Sequence, residues 1–167
     1  MCHHTVGAAN GNMPSLNVLV NGRKLRGGGY LNGPLGHLGL GRDGTYYMVG
    51  AGTANHAGPG KWQGYSNGGS GFIGIEAENM GYPDKDPWPD VQIDAYIRGV
   101  AALLAHVNLP ADRCCSHREW AVPSGRKNDP HTIDMDDFRA NVSAAIAGTY
   151  PGRPIIPPLD ANNNPTL

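Results

Sequence analysis

The stretch between Pro89 and Pro110 leaves the fold the least freedom. Ile93, Tyr96, Ile97, Val100, Leu103, Leu104 and Val107 recur there at three- and four-residue intervals. On a helix that spacing gathers them into one apolar stripe, which must be buried against another element. Pro87 and Pro89 stand before the stripe and Pro110 after it, so a helix is predicted over about 90–107. Its partner surface must come from short strand-like runs. Residues 37–41 and 45–49 flank Asp43-Gly44, a pair that suits a hairpin turn. Residues 72–78 form a short apolar strand that ends in acid. A second helix is predicted over 134–147, with Asp134 as N-cap and Met135, Phe138, Val142 and Ile146 as its apolar face. Residues 16–20 read as a further strand, closed by Asn21-Gly22 as a tight turn. These elements predict an α/β fold with a central mixed β-sheet flanked by helices.

Length and charge narrow the function. The chain has 167 residues, enough for one domain with its own core. A net charge of -1 gives no electrostatic case for nucleic acid or an anionic membrane as partner. No apolar run approaches the roughly 20 residues of a membrane span. Cys2, Cys114 and Cys115 are the only cysteines. An odd count with one adjacent pair makes a poor disulfide framework, so free thiols are expected. The first residues read as the end of a strand whose earlier part is missing. Residues 150–167, rich in Pro and Asn, read as a linker or tail. The expectation is a catalytic domain over 1–149, with a truncated first strand, taken from a longer modular chain.

The residues that carry chemistry are scattered. His3-His4-Thr5 stands at one strand end, and His117 and Asp129 lie far downstream. Two histidines and a carboxylate with one position left open form a catalytic zinc set, in which zinc lowers the pKa of its water to about 7. Cys114 and Cys115, close to His117, also permit a thiolate site. Amide hydrolysis further needs a proton carrier and a group to hold the oxyanion. Glu76, in an otherwise apolar strand, suits the first role through desolvation. Lys127, two residues before Asp129, suits the second.

Taken in order, His-x-Thr at 3–5, Arg-Asp-Gly-Thr at 42–45, Asn-His-Ala-Gly at 55–58, Ile-Gly-Ile-Glu-Ala-Glu-Asn at 73–79, Ser-His-Arg-Glu-Trp at 116–120 and Gly-Arg-Lys-Asn-Asp-Pro at 125–130 resemble the type-2 N-acetylmuramoyl-L-alanine amidases. That superfamily also holds the peptidoglycan recognition proteins. The resemblance runs from His3 to about Val142. The runs 126–130 and 133–139 resemble the amidase modules of endolysins from phages that infect actinobacteria.

The resemblance implies a peptidoglycan recognition protein/amidase-like fold and a Zn2+ ion held by His3, His117 and Asp129. His4, beside His3, stays open as the alternative first ligand. It implies Glu76 as general base and Lys127 as oxyanion stabiliser. Some members place a Tyr before the His that precedes the Arg-Asp-Gly turn. Gly36 stands there in this chain, which puts more weight on Glu76. His56 and His37 are expected at the cleft, as substrate contacts or as partners of the ligands. Trp62, Tyr65 and Asn79 are expected to flank glycan or peptide. The implied partner is bacterial peptidoglycan, cut by a monomer that is made in the host cytoplasm and acts on the host wall. The alternative is a recognition domain that binds peptidoglycan without cutting it.

Overall fold

In a computed structural model, which describes residues 1–66 and 71–152, the chain is built on a four-stranded sheet. Strand β1 is Cys2–His4, and the short helix α1 (Leu16–Asn21) follows it. A hairpin of β2 (Gly22–Lys24) and β3 (Tyr30–Asn32) comes next, then β4 (Leu38–Leu40) and β5 (Tyr46–Met48). A small two-stranded ribbon, β6 (Lys61–Trp62) with β7 (Tyr65–Ser66), precedes the central strand β8 (Ile75–Ala77). Helix α2 (Asp90–His106), a 3-10 turn at Ala111–Arg113, the single turn α3 (His117–Trp120) and α4 (Met135–Ile146) complete the described chain. The sheet order is β1-β8-β4-β5. β8 runs parallel to both β1 and β4, while β5 is antiparallel to β4. The sheet is therefore mixed, as expected.

Side chains alternate across a strand, so register decides what each face carries. His3 pairs with Glu76, and Gly39 pairs with Glu76 from the other side. These positions share one face. The opposite face presents Cys2, Ile75, Ala77 and Leu40, all buried against Ile93, Tyr96, Ile97 and Val100 of α2 and Phe138 and Val142 of α4. The first half of the stripe that predicts α2 is thus the floor of the core, while Leu103 and Leu104 are half-buried and Val107, just past the helix, is exposed. Tyr96 does more than fill space. Its hydroxyl accepts the His3 N–H at 2.9 Å and donates to the carbonyls of His3 or Ile75 at 3.1 and 3.2 Å. A buried Tyr needs such a partner, and here the partner is the backbone that carries the site.

The Asp43-Gly44 hairpin forms as read, with Gly44 at φ 85°. Asp134 caps α4 by accepting the N–H groups of Asp136 and Asp137, and all three cysteines are free thiols. The strand expected over 16–20 is instead α1. Gly22 follows that helix with φ 89°. A positive φ ends a helix as well as it makes a turn, so Asn21-Gly22 alone does not decide between them. The linker reading for the chain end falls almost wholly on 153–167, outside the described residues. Among the described residues no helix is long and apolar enough to cross a membrane.

Candidate metal centre

Three segments meet above the sheet face that carries Glu76. β1 supplies His3. α3 opens with His117, fixed by a capping box in which Ser116 Oγ accepts the Glu119 N–H and the Glu119 carboxylate accepts the Ser116 N–H at 2.8 Å. The loop before α4 supplies Asp129. Arg118 ties that loop down: its guanidinium donates to the carbonyls of Pro130 and Ile133, and its backbone N–H donates to the Asp129 carbonyl. Arg139 donates to Glu119, which links α4 to the cap of α3. Ser116→Ala breaks the capping box, is expected to cost about 1 kcal/mol, and lowers the melting temperature by about 2–4 °C in a domain of this size. Thermal melts of the two proteins check it.

His3, His117 and Asp129 are buried and form the described group able to hold a metal ion. His3 Nδ1 lies 2.9 Å from His117 Nδ1 and 3.1 Å from Asp129 Oδ2. His117 Nδ1 lies 3.0 Å from the same oxygen. The far nitrogens fix what those near atoms are. His117 Nε2 faces the Ala57 carbonyl at 2.9 Å, and a carbonyl only accepts, so Nε2 carries the proton and Nδ1 is a lone pair. His56 Nε2 faces the Phe72 carbonyl at 3.2 Å, which leaves His56 Nδ1 bare. That bare nitrogen lies 3.0 Å from His3 Nε2, so His3 donates there and its own Nδ1 is bare too. Burial pushes the pKa of His3 down to about 4, against the opposing pull of Asp129, and burial pushes that of His56 down to about 2. Neither His3 nor His56 is protonated at neutral pH. Two imidazole lone pairs and a carboxylate oxygen converge on one point, a donor set that could hold a metal ion.

His56 thus acts through His3. Gly74 makes room for it, because a Cβ there would lie 2.6 Å from His56 Cγ. His56→Phe keeps the ring volume and removes the acceptor. It is expected to weaken metal binding 10- to 100-fold, measured by competition with a chelator. An unchanged affinity would mean that another contact fixes the His3 tautomer.

Glu76 stands beside the group, with Oε1 3.7 Å from His3 Nδ1 and 13 % of its side chain exposed. Burial raises its pKa well above the ordinary carboxylate value, and the charge of Asp129 adds to this, while Lys127 opposes it. Gly36 lies against this acid: a Cβ at 36 would lie 3.0 Å from Glu76 Cγ. A tyrosine at 36 would begin in contact with the acid, so Gly36 and the present position of Glu76 go together. Lys127 is exposed, and His56, Glu76, His117, Lys127 and Asp129 all line one cleft of about 780 Å³.

Other expected residues lie elsewhere. His4 turns to the opposite face of β1, where its Nδ1 accepts the His131 N–H at 3.0 Å and its ring lies near Trp88. It is not part of the triangle. His37 is half-buried; its Nδ1 accepts the Gly74 N–H, and its ring meets that of His56 edge-on. Asn79 does not reach the cleft, against expectation. It is buried, and its amide joins the Asp86 carbonyl to the Gly81 N–H. Trp62 also lies outside the cleft, packed by Met1, Ala57, Cys115 and Trp120, with the Arg139 guanidinium over its ring. Tyr65 lies under the Arg113 guanidinium, away from the cleft as well. Cys114 and Cys115 are not in the triangle. Arg118 and Tyr96 are the positioning residues that sequence reasoning missed. The first stands next to a ligand candidate in sequence, and the second is a hydroxyl within an apolar stripe.

No curated protein and no solved structure matches the chain. A family model does, that of N-acetylmuramoyl-L-alanine amidase, over residues 1–132. The matched span contains His3, Glu76, His117, Lys127 and Asp129, and the chain belongs to the N-acetylmuramoyl-L-alanine amidase family.

Proposed function

We propose that this chain is a zinc-dependent hydrolase of the amide between N-acetylmuramic acid and the first L-alanine of the peptidoglycan stem. The observation that carries the reading is the convergence of two bare Nδ1 atoms and Asp129 Oδ2 within about 3 Å, at the floor of a cleft shared with Glu76 and Lys127. A donor set of two imidazoles and one carboxylate suits zinc with an open position. Zinc, when bound, supplies a water of pKa near 7 and polarises the scissile carbonyl. Glu76 takes the proton of the attacking water and returns it to the leaving amine. Its raised pKa favours the second half of that exchange. Lys127 lends its charge to the carbonyl oxygen as negative charge develops there. His56 holds the tautomer of His3, and Val18, Leu19, Leu31 and Leu35 give the cleft an apolar wall.

The runs 126–130 and 133–139 support a phage endolysin module, made in the host cytoplasm and acting on the host wall as a monomer. The experiment is mass spectrometry of isolated actinobacterial peptidoglycan digested by the zinc-loaded protein. New L-alanine amino termini are the expected product, lost on chelation and restored by zinc. New reducing sugar ends or cuts within the stem would overturn the bond assignment. Binding without release would favour a recognition domain.

A further inference from the structure

The metal centre uses neither Cys2 nor Cys114. Their Sγ atoms lie 3.5 Å apart, and both side chains are buried. The two residues are 112 positions apart in sequence. Cys115 does not compete for either. Cys114 is extended, with φ −85° and ψ 121°, so adjacent side chains point opposite ways. Cys114 joins Cys2 in the core under α2, whereas Cys115 packs with Met1, Ala57 and Trp120. The odd cysteine count thus separates into a facing pair and a single thiol.

A cavity of about 260 Å³ opens onto one member of this pair, Cys114. Met1, Ile73, Ile75, Val107, Leu109 and Cys114 are among its lining, and Ile73, Val107 and Leu109 are exposed at its mouth. One water occupies about 30 Å³ in the liquid, so the cavity is large enough to bring a small neutral molecule to the Cys114 thiol.

We propose that Cys2 and Cys114 form a redox-active dithiol, oxidised by a small peroxide entering through this cavity to a disulfide that staples β1 to the segment leading into α3. The Cys114 sulfur attacks one peroxide oxygen. The O–O bond breaks, one water leaves with the thiol proton, and a sulfenic acid remains on Cys114. The Cys2 sulfur then attacks that sulfur. An S–S bond forms, the S–O bond breaks, and a second water leaves with the Cys2 proton. Two thiols lose two electrons and two protons, and hydrogen peroxide becomes two waters. The sulfurs must close by about 1.5 Å to reach bonding distance. The link falls where it matters, because Cys2 precedes His3 and Cys114 lies three residues before His117. In the reduced chain these segments are joined by the Cys2 N–H donating to the Cys115 carbonyl at 2.8 Å and by the bridge between Cys2 and Ser116.

The test does not depend on amidase activity. The reduced chain is treated with hydrogen peroxide, remaining thiols are alkylated, and the digest is mapped by mass. The expected product is a Cys2–Cys114 linked peptide two hydrogens lighter than its parts, with Cys115 alkylated and the link reversed by dithiothreitol. The melting temperature should rise by about 5–10 °C, as closure of a long loop predicts. Cys115→Ala should keep both effects, and Cys114→Ala should lose both. A link through Cys115, a link between two chains, or three alkylatable thiols after peroxide would overturn the proposal. The wild-type map decides this even if the Cys114 variant fails to fold.

Discussion

Asp129→Ala is expected to hold zinc on the order of 10²–10³-fold more weakly than the parent and to release no detectable L-alanine termini from peptidoglycan. The magnitude follows from dividing the ~10–16 kcal/mol by which a full ligand set binds zinc among its ligands, at 1.4 kcal/mol per factor of ten. Asp129 supplies the one negative charge of the triangle. Without it, two neutral imidazoles remain, and they lie 2.9 Å apart. The fold should survive, because the contact that ties the Asp129 segment to α3 uses the Asp129 backbone carbonyl, which the substitution keeps. Zinc content after dialysis against a chelator, read beside circular dichroism, separates loss of metal from loss of fold.

His4→Ala is the matching control. Its Nδ1 accepts the His131 N–H, so truncation leaves a donor without its partner. The expected cost is about 1–3 kcal/mol of stability with zinc content unchanged. If His4→Ala lost the metal and His3→Ala kept it, the triangle would be wrongly composed.

The contrast between these neighbouring histidines shows what a sequence conveys. Residue types and their order point to His3, Glu76, His117, Lys127 and Asp129, and all but the exposed Lys127 are brought to one place by buried backbone. The choice between His3 and His4 is a matter of strand phase. A shift of one residue exchanges the two faces, and three residues of β1 are too few to reveal an alternation. Asn79 and Trp62 lie away from the cleft for a related reason. Their chemistry suits a sugar or peptide, but direction is set by the partners the fold supplies, the Asp86 carbonyl for Asn79 and the cluster around Trp120 for Trp62. α2 was legible because its stripe repeats over 17 residues. α1 was not, because six residues span less than two turns and Leu16, Val18 and Val20 fit a strand period equally well. Tautomers are less legible still. That His3 presents Nδ1 to His117 and Asp129 follows from the Phe72 carbonyl, through His56.

Glu76→Gln is expected to lower turnover by about 10²–10⁴-fold while zinc stays bound, and to stabilise the metal-free chain at neutral pH. Both effects have one cause. The sheet register sets a carboxylate on the central strand, facing Asp129 and largely withdrawn from water. That placement suits a group that must take a proton and return it, and it is unfavourable to the fold when the group is ionised. Because the folded-state pKa lies above the ordinary 4.5, the protonated acid is favoured on folding. Its contribution to stability is complete below about pH 4.5 and is lost as pH rises through the folded value. Glutamine keeps the shape and does not titrate. Metal-free Glu76→Gln should therefore melt above the parent at pH 7, and the gap should close on acidification toward pH 4.5. Melting curves at several pH values, with zinc removed, measure the gap. Turnover assays with zinc present measure the other half. Near-normal turnover would remove Glu76 from the proton path. A gap that stays constant with pH would mean that the gain comes from packing and not from charge.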